Sequence, residues 1–266
     1  MSFYGSSFSF DGKSCEEFGL MLYDFDSTKQ GNSLFAKEKI YEDRIMHRPR
    51  SIFYGSDYDD GLEFKLVFGA DEYAASKGED IDRQEMEAIS AWLTGHNAYK
   101  WLVIDQPDMN GIRYHCIITE LEMVEVGFSK WALSCKVHCD SPFAYMLPQT
   151  FTYEVNGTSD VILCSRSSAN LPYSPTLSIV LNSGGDLSIM NHSDHDRVFS
   201  MTGVPAAAGE IVLNGENGIL TCSGGLNLYQ YCNFKFPRLV RGDNHLTISG
   251  NGTVSFTCEF PVNVGG

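Results

Sequence analysis

The alternation of apolar and polar residues is clearest between residues 131 and 139. One face of this segment carries Trp131, Leu133, Cys135, Val137 and Cys139. A period of two is typical of a strand with one buried face. Asp140-Ser141-Pro142 ends the strand, because proline fixes its own φ angle and lacks a backbone donor. Phe143-Ala144-Tyr145 follows as an apolar patch, and we predict a domain boundary at residue 147.

The first half of the chain, residues 1–147, has the pattern of a β-sandwich-like sheet. Asp11-Gly12 predicts a turn, so we expect residues 3–10 and 18–23 to form a hairpin around it. Residues 24–36 are polar and predict a loop. Further strands are predicted at 62–68, 99–105, 112–119, 120–127 and 128–139.

A single helix is predicted at residues 82–94. Asp82 and Glu85 have the spacing of a capping box, and Gly95 stands where the end of a helix favours glycine. The apolar stripe consists of Met86, Ile89, Trp92 and Leu93. Because this stripe follows the helical repeat, we expect the helix to pack on the sheet.

Residues 37–58 contain a charged segment that we predict to be an extended arm. Charged and apolar residues are interspersed along 37–54, and Pro49 excludes a central strand because it cannot donate to a ladder. Two interpretations stay open here. The segment is either a long edge hairpin that pairs with another subunit or a solvated loop.

The second half, residues 148–266, contains no helical pattern. Short alternating segments predict strands at 150–155, 161–164, 176–181, 186–190, 197–202, 210–213, 218–221, 228–236, 244–249 and 252–260. Turn sequences rich in glycine and asparagine separate them. Short strands at this spacing, separated by such turns, indicate a β-sandwich or jelly roll.

The charge balance narrows the range of partners. The net charge is −15, with 14 basic and 25 acidic residues in the first 147 positions and 5 and 9 in the rest. Such a surface does not neutralise phosphates, so we expect neither nucleic-acid nor anionic-membrane binding. No apolar run approaches the roughly 18 residues of a membrane span. The opening sequence lacks an apolar leader, so we expect no export signal and reduced cysteines.

Two clusters contain metal-ligating residue types. His192–Asp196 holds two histidines and two aspartates, but a polar turn explains it better than a zinc site. Cys135 and Cys139 flank His138, which faces away from both on a strand, so core packing is favoured. We therefore expect no metal and no cofactor.

Two shorter motifs also have structural explanations. Asp57–Gly61 lacks the spacing of a calcium loop, and Phe68 occupies the position of its bidentate glutamate. Arg241-Gly242-Asp243 matches an integrin-type tripeptide, but a turn before the strand at 244–249 accounts for it. No catalytic signature is present in the sequence, so we do not expect an enzyme.

The order of motifs along the chain carries a resemblance to a known family. FSFDGKS at residues 8–14 precedes the charged arm, a helix ending in AWLTG at 91–95, and CDSPFAY at 139–145. Near the end, FPRLVRGDNHLTISGNG covers residues 236–252. In this order, and over essentially the whole chain, the motifs resemble the distal tail proteins of long-tailed siphophages.

The resemblance implies a structural virion protein at the distal end of a phage tail. Its N-terminal domain would form a homohexameric ring that continues the tube channel, and its C-terminal domain would be a galectin-like β-sandwich that projects outward. The implied partners are further copies of itself, the major tail tube protein, the tail-tip hub or tail-associated lysin protein, the tape measure protein, and receptor-binding or baseplate proteins. DNA would pass through the channel without sequence-specific binding, and no membrane insertion is implied.

In a closed ring, an arm makes a head-to-tail contact that is repeated around the symmetry axis. We therefore expect the charged and aromatic residues of the arm to lie at the ring interface. These residues are Glu42, Asp43, Arg44, Arg48, Arg50 and Tyr54.

Two other functions remain open from the sequence. A carbohydrate-binding module or adhesin could stack sugars on Tyr229, Tyr231 and Phe234, but their alternation along one strand is equally what a sandwich core needs, and we favour the core. A glycosidase would need paired carboxylates, for which the abundance of acidic residues is the sole support. Glycan binding would favour the first alternative, and turnover of cell-wall polymer the second.

Overall fold

The computed structural model describes residues 7–23, 38–58, 60–70, 81–126 and 129–263, without the side chains of 108, 125, 126 and 129–131. Within this part of the chain the structure is mainly β with one α-helix, which confirms the predicted fold class. The chain divides into two units: the first comprises Met1–Tyr145 with Asn263–Gly266, and the second spans Met146–Val262. The predicted loop at 24–36 lies outside the described residues.

The first unit consists of one helix and short to medium strands. Their bounds are β1 Ser7–Phe10, β2 Lys13–Ser14, β3 Leu20–Leu22, β4 Glu38–Asp43, β5 Ile52–Tyr58, β6 Glu63–Ala70, α1 Arg83–Leu93, β7 Lys100–Asp105, β8 Ile112–Val126 and β9 Ser129–Cys139. The main sheet has the antiparallel order β2-β1-β7-β8-β9-β6-β3, and β4 and β5 form a separate two-stranded sheet. Strand β10, Ala144–Met146, lies where the chain passes into the second unit.

Helix α1 confirms the predicted capping and packing. Asp82 and Glu85 form a reciprocal capping box, and Gly95 after the helix has a φ angle of +78°. Trp92 stacks between Phe8 and Phe18, and its indole Nε1 donates to the Phe10 carbonyl oxygen at 3.0 Å. The helix is thereby fixed to the first strand of the sheet.

The predicted N-terminal hairpin is partly wrong. Strand β1 turns back at Asp11-Gly12, but its partner is β2 rather than residues 18–23. A 3₁₀ turn at Cys15–Phe18, capped by Ser14, redirects the chain, so that β3 pairs with β6 instead. The capping-box spacing from Ser14 to Glu17 was the sequence signal for this turn.

Strand β9 has the predicted alternation of burial over residues 135–139, whereas Ala132 and Ser134, predicted on the polar face, are buried as well. Cys135, Val137 and Cys139 are buried, whereas His138 lies on the other face with its Nδ1 3.0 Å from Glu63 Oε1. Burial raises the pKa of the Cys135 thiol to about 12, so the thiol stays protonated and behaves as a small apolar group. The prediction for Trp131 falls on a side chain outside the description. Core packing of the two cysteines is confirmed.

The second unit contains strands and short 3₁₀ turns in its described residues. The strands are β11 Gln149–Ser165, β12 Thr176–Leu181, β13 Gly185–Asn191, β14 Arg197–Val204, β15 Glu210–Leu213, β16 Leu220–Cys222, β17 Gly242–Cys258 and β18 Pro261–Val262. Their order is β14-β13-β17-β12-β15-β16, with β11 on the other edge of β17. The apolar faces of these strands enclose one core.

Strands β11 and β17 are longer than predicted. We expected a break in each, but the two strands pair without interruption over 17 residues. Gly157 lies opposite Gly250 and has a φ angle of +94°, which glycine adopts without steric cost. The Asn156-Gly157 sequence is therefore a kink within a strand rather than a turn. Beyond the kink, β17 changes its second neighbour from β13 to β12.

Candidate assembly and binding surfaces

Residues 38–58, which we call the arm, form a hairpin made of β4 and β5. Every side chain of β4 is exposed, and β5 is exposed or half-buried. An isolated two-stranded hairpin is marginally stable in water, because it has no apolar face to bury. The described residues 38–58 thus form a hairpin rather than a loop, and its pairing with another subunit stays a prediction.

The arm carries a concentration of exposed apolar side chains. Of the sixteen large hydrophobic residues that are exposed in the described chain, six lie between residues 40 and 54. They are Ile40, Tyr41, Ile45, Met46, Phe53 and Tyr54. Patches of this kind on a folded protein mark interaction surfaces. The predicted interface residues are mainly charged and do not include the exposed Ile40, Met46 and Phe53, although all three lie within the predicted arm.

The structure places all six predicted interface residues on this exposed hairpin. Glu42 accepts a hydrogen bond from Ser51 Oγ at 2.6 Å, and Asp43 lies opposite Ile52 in the ladder. Tyr54 is the extra residue of a β-bulge, since Tyr41 pairs with Gly55 and Glu42 with Phe53. Bulges bend a strand and redirect side chains, so Tyr54 is presented away from the regular ladder.

The tip of the arm is basic. Arg44, His47, Arg48 and Arg50 lie within seven residues that contain no carboxylate. All four side chains are exposed, in a chain whose net charge is −15. Opposite charges guide association and disfavour wrong partners. The tip is therefore complementary to acidic surface, such as that of another copy of the chain.

The base of the arm is anchored to the first unit. Tyr58 packs edge-on against Phe143 with ring centroids 5.2 Å apart, and burial raises the pKa of its hydroxyl. Gly61 follows closely, where an added Cβ would lie 1.9 Å from the Cys139 carbonyl oxygen. The Asp57–Gly61 motif therefore serves chain packing. Asp59 lies outside the described residues.

The His192–Asp196 cluster begins with a 3₁₀ turn at His192–Asp194, and its His192, Asp194 and Asp196 side chains are engaged within the protein. Asp194 is buried and accepts two hydrogen bonds from Arg238, at 2.6 and 3.0 Å. His192 Nδ1 lies 2.7 Å from Asp196 Oδ1, and Nε2 lies 2.9 Å from Thr247 Oγ1. No group of three ligands suited to a metal ion occurs among the described residues. The cluster positions the segment that contains Arg238.

That segment, residues 223–241, connects β16 to β17, and we call it the platform loop. We predicted a strand at 228–236, but residues 229–231 form a 3₁₀ turn and no strand follows. Phe234 adopts a φ angle of +58°, which is incompatible with a strand. Asn233 Nδ2 instead donates to the Val198 carbonyl oxygen at 2.9 Å. This side-chain bond and the single bridge between Cys232 and Met201 tie the loop to β14 in place of a ladder.

Two aromatic rings of the platform loop face solvent. Phe234 is 59% exposed and Tyr229 36% exposed. Their planes differ by 6° and their centroids are 5.9 Å apart, and Tyr229 Oη accepts a hydrogen bond from the Leu220 amide. Tyr231, in contrast, is partly buried against the core. The structure therefore brings Tyr229 and Phe234 together and separates Tyr231 from them.

The Arg241-Gly242-Asp243 tripeptide is at the start of β17. Gly242 and Asp243 already belong to this strand and pair with Ser165 and Cys164. Two of the three residues therefore lie in β17 rather than in the predicted turn. Among the described residues, no helix is long and apolar enough to cross a membrane.

Comparison with known proteins follows the two-unit division closely. The family model for a phage tail protein N-terminal domain matches residues 3–141, and that for a phage tail C-terminal domain matches residues 143–258. No curated protein matches the chain. Among solved structures, the Dit (gp 19.1) protein of phage SPP1, titled a paradigm of the hub adsorption apparatus in phages that infect Gram-positive bacteria, is similar in fold. The sequences are 11% identical with a TM-score of 0.68, and the match covers 96% of this chain and 98% of that one.

Proposed function

The chain belongs to this family of phage tail proteins, and we propose that it forms the ring joining the tail tube to the tail tip of a long non-contractile tail. The observation that carries the proposal is the arm, an exposed hairpin with exposed apolar side chains on both strands and a basic tip. Such an element gains stability when a neighbouring copy covers it. Its role is mechanical, and the chain is a virion component.

The arm acts as a head-to-tail connector in this proposal. Each copy places its arm on the next copy, and the contact repeats until the ring closes. Glu42, Asp43, Arg44, Arg48, Arg50 and Tyr54 are the interface residues, joined by the exposed Ile40, Met46 and Phe53. The resemblance to siphophage distal tail proteins sets the expected number of copies at six.

The ring has a partner on each of its two end faces. The major tail tube protein contacts one face, and the tail-tip hub or tail-associated lysin protein contacts the other. The tape measure protein occupies the channel before ejection. Receptor-binding or baseplate proteins dock on the outside. The net charge of −15 supports passage of DNA without adhesion, because like charges repel in the channel.

The mass of the purified full chain tests the proposal. Light scattering combined with negative-stain images is expected to show rings of six with a central hole. Replacing residues 40–56 with Asn-Gly should yield monomers with an unchanged thermal unfolding midpoint, because the arm contributes little to the core. Leu171→Ala, a change at a residue that is 78% exposed outside the arm, is the matched control and should still form rings.

Stable rings without the arm would refute its role as connector. A wild-type monomer that also fails to bind purified tube protein would refute the ring itself. Release of sugar from cell-wall polymer by the pure protein would refute the mechanical role in favour of a glycosidase.

A further inference from the structure

The platform loop holds an aromatic side chain in a conformation that its own backbone opposes. Phe234 has a φ angle of +58°, a region that bulky residues rarely occupy. Asn233 holds Phe234 in this conformation through two hydrogen bonds. The backbone N–H of Asn233 donates to the Ser200 carbonyl oxygen at 3.1 Å, and its side-chain Oδ1 accepts from the backbone N–H of Lys235 at 3.1 Å. A glycine would fit this backbone with less strain. Strain that the surrounding structure maintains is common at ligand-binding sites.

The ring of Phe234 is also rigidly supported. One face stacks on Tyr229, whose position is fixed by the Leu220 amide, and Phe236 packs at 6.4 Å as a second neighbour. Aromatic side chains normally bury their surface, yet Phe234 remains 59% exposed. A ligand that binds here encounters a flat apolar surface that is ordered beforehand, so binding costs little conformational entropy.

The size and surroundings of this surface identify the class of ligand. A stable protein interface buries about 800 Å² per partner, whereas one aromatic side chain offers about 150–250 Å². With Tyr229 behind it, the free face of the Phe234 ring is closer in area to one sugar ring. Next to Tyr229 are Asn227 and Gln230, which are exposed and uncharged. Asn227 Oδ1 accepts from the Tyr229 amide at 3.1 Å and Gln230 Nε2 donates to the Asn227 carbonyl oxygen at 3.4 Å, so the Asn227 NH₂ and the Gln230 Oε1 are the groups open to a ligand. Amides donate to and accept from hydroxyl groups.

We propose that the platform loop is a carbohydrate-binding site, in which the C–H face of a neutral pyranose stacks on Phe234. Tyr229 supports the ring from behind, and Asn227 and Gln230 bind sugar hydroxyls. The site lies wholly within the second unit and is independent of ring closure by the arm. In an assembled tail, each copy would bring one such site to a surface glycan. Several sites binding at once would raise the overall avidity above the affinity of one site.

Saturation-transfer NMR on the full chain tests the site. The probes are tetrasaccharides of glucose, galactose and N-acetylglucosamine, each titrated separately. We expect transfer to the C–H protons of at least one probe. Phe234→Ala should weaken binding by at least about tenfold, and Phe234→Trp should restore it, because a flat ring is retained. Ile162→Ala, at a residue that is 60% exposed elsewhere in the unit, should leave binding unchanged.

Phe234→Gly separates function from folding. This variant removes the ring but relieves the backbone, so its thermal unfolding midpoint should equal or exceed that of Phe234→Ala while binding is lost. Absence of transfer to all three probes overturns the proposal, as does binding that is unaffected by Phe234→Ala. Loss of ring assembly in Phe234→Ala without any sugar binding would assign the surface to a protein contact instead. The arm-deleted chain should still bind, which separates this test from that of the ring.

Discussion

The arm and the platform loop both expose aromatic side chains, but they are held in opposite ways. The arm has regular ladder hydrogen bonds between two strands, and its described contact with the body is at the base, where Tyr58 meets Phe143. The platform loop has almost no regular structure, yet its backbone is tied to β13 and β14 by Asn191 and Asn233. Regular secondary structure is therefore a poor guide to which region is rigid.

This difference separates two kinds of interaction surface. A hairpin without tertiary support becomes ordered when a partner covers it, which suits assembly into a ring. A loop fixed by hydrogen bonds to buried groups presents its side chains without further ordering, which suits recognition of a small ligand.

Amide hydrogen exchange should give the largest difference. In the unassembled chain, amides of β4 and β5 are expected to exchange with little protection, because opening the arm exposes no core. The Leu239 amide, which donates to Tyr173 at 2.7 Å, should be protected at least about a hundredfold more strongly. Assembly should protect the arm and leave Leu239 unchanged.

A monomeric variant provides the control for the exchange experiment. Replacing Arg44, Arg48 and Arg50 with glutamate reverses the charge of the tip and should abolish the protection that assembly confers. Equal protection of arm and platform loop in this monomer would contradict the distinction between them.

Removing the anchor of the platform loop should have the next largest effect. Arg238→Ala leaves the buried carboxylate of Asp194, which is 3% exposed, without its charged partner. We expect a loss of about 2–3 kcal/mol in the free energy of unfolding, the value for a charged hydrogen bond, because Arg238 itself is partly exposed. Urea unfolding followed by circular dichroism measures it. Arg241→Ala, at an exposed residue nearby, should change stability by less than about 0.5 kcal/mol.

A smaller effect is expected from Asn233→Ala. This change removes the donor to Val198 and the acceptor for Lys235, but solvent can reach both groups, so the cost should be about 1–2 kcal/mol. Phe234 should then relax out of its positive φ angle. A crystal structure or the chemical shifts of Phe234 would show the relaxation. Gln230→Ala, at an exposed neighbour, is the matched control, and an unmoved Phe234 in the Asn233 variant would contradict its anchoring role.

Local patterns predicted the elements that depend on local forces. The helix, its Asp82 cap and the alternation on β9 follow from spacing along a few residues, and the structure reproduces them. The long pairing of β11 with β17 could not be predicted in this way. Asn156-Gly157 favours a turn in isolation, and the strand continues because β17 offers a complete partner that is distant in sequence.

The two candidate surfaces show the same limit. Pro49 and the mixed charge of the arm excluded a central strand but left an edge hairpin and a solvated loop both open, because what covers the segment depends on residues outside it. The strand expected at 228–236 failed, since Asn233 and Arg238 bind groups on other elements that the sequence does not place nearby. Whether Tyr229 and Phe234 are buried or exposed depended on those distant contacts.

The smallest expected effect concerns the base of the arm at alkaline pH. Burial raises the pKa of Tyr58 above its ordinary value of 10.0, with Glu38 contributing in the same direction. The folded state therefore retains the Tyr58 proton longer than the unfolded state does. The resulting stability is complete below pH 10.0 and is lost as the pH rises through the raised pKa. Tyr58→Phe should differ from wild type by less than about 0.5 kcal/mol at pH 8 and should lack this loss. Because other tyrosines also titrate there, the measured quantity is the difference between the two proteins in the free energy of unfolding by urea from pH 8 to pH 11. A difference that stays constant over this range would show that Tyr58 does not hold the arm to the body.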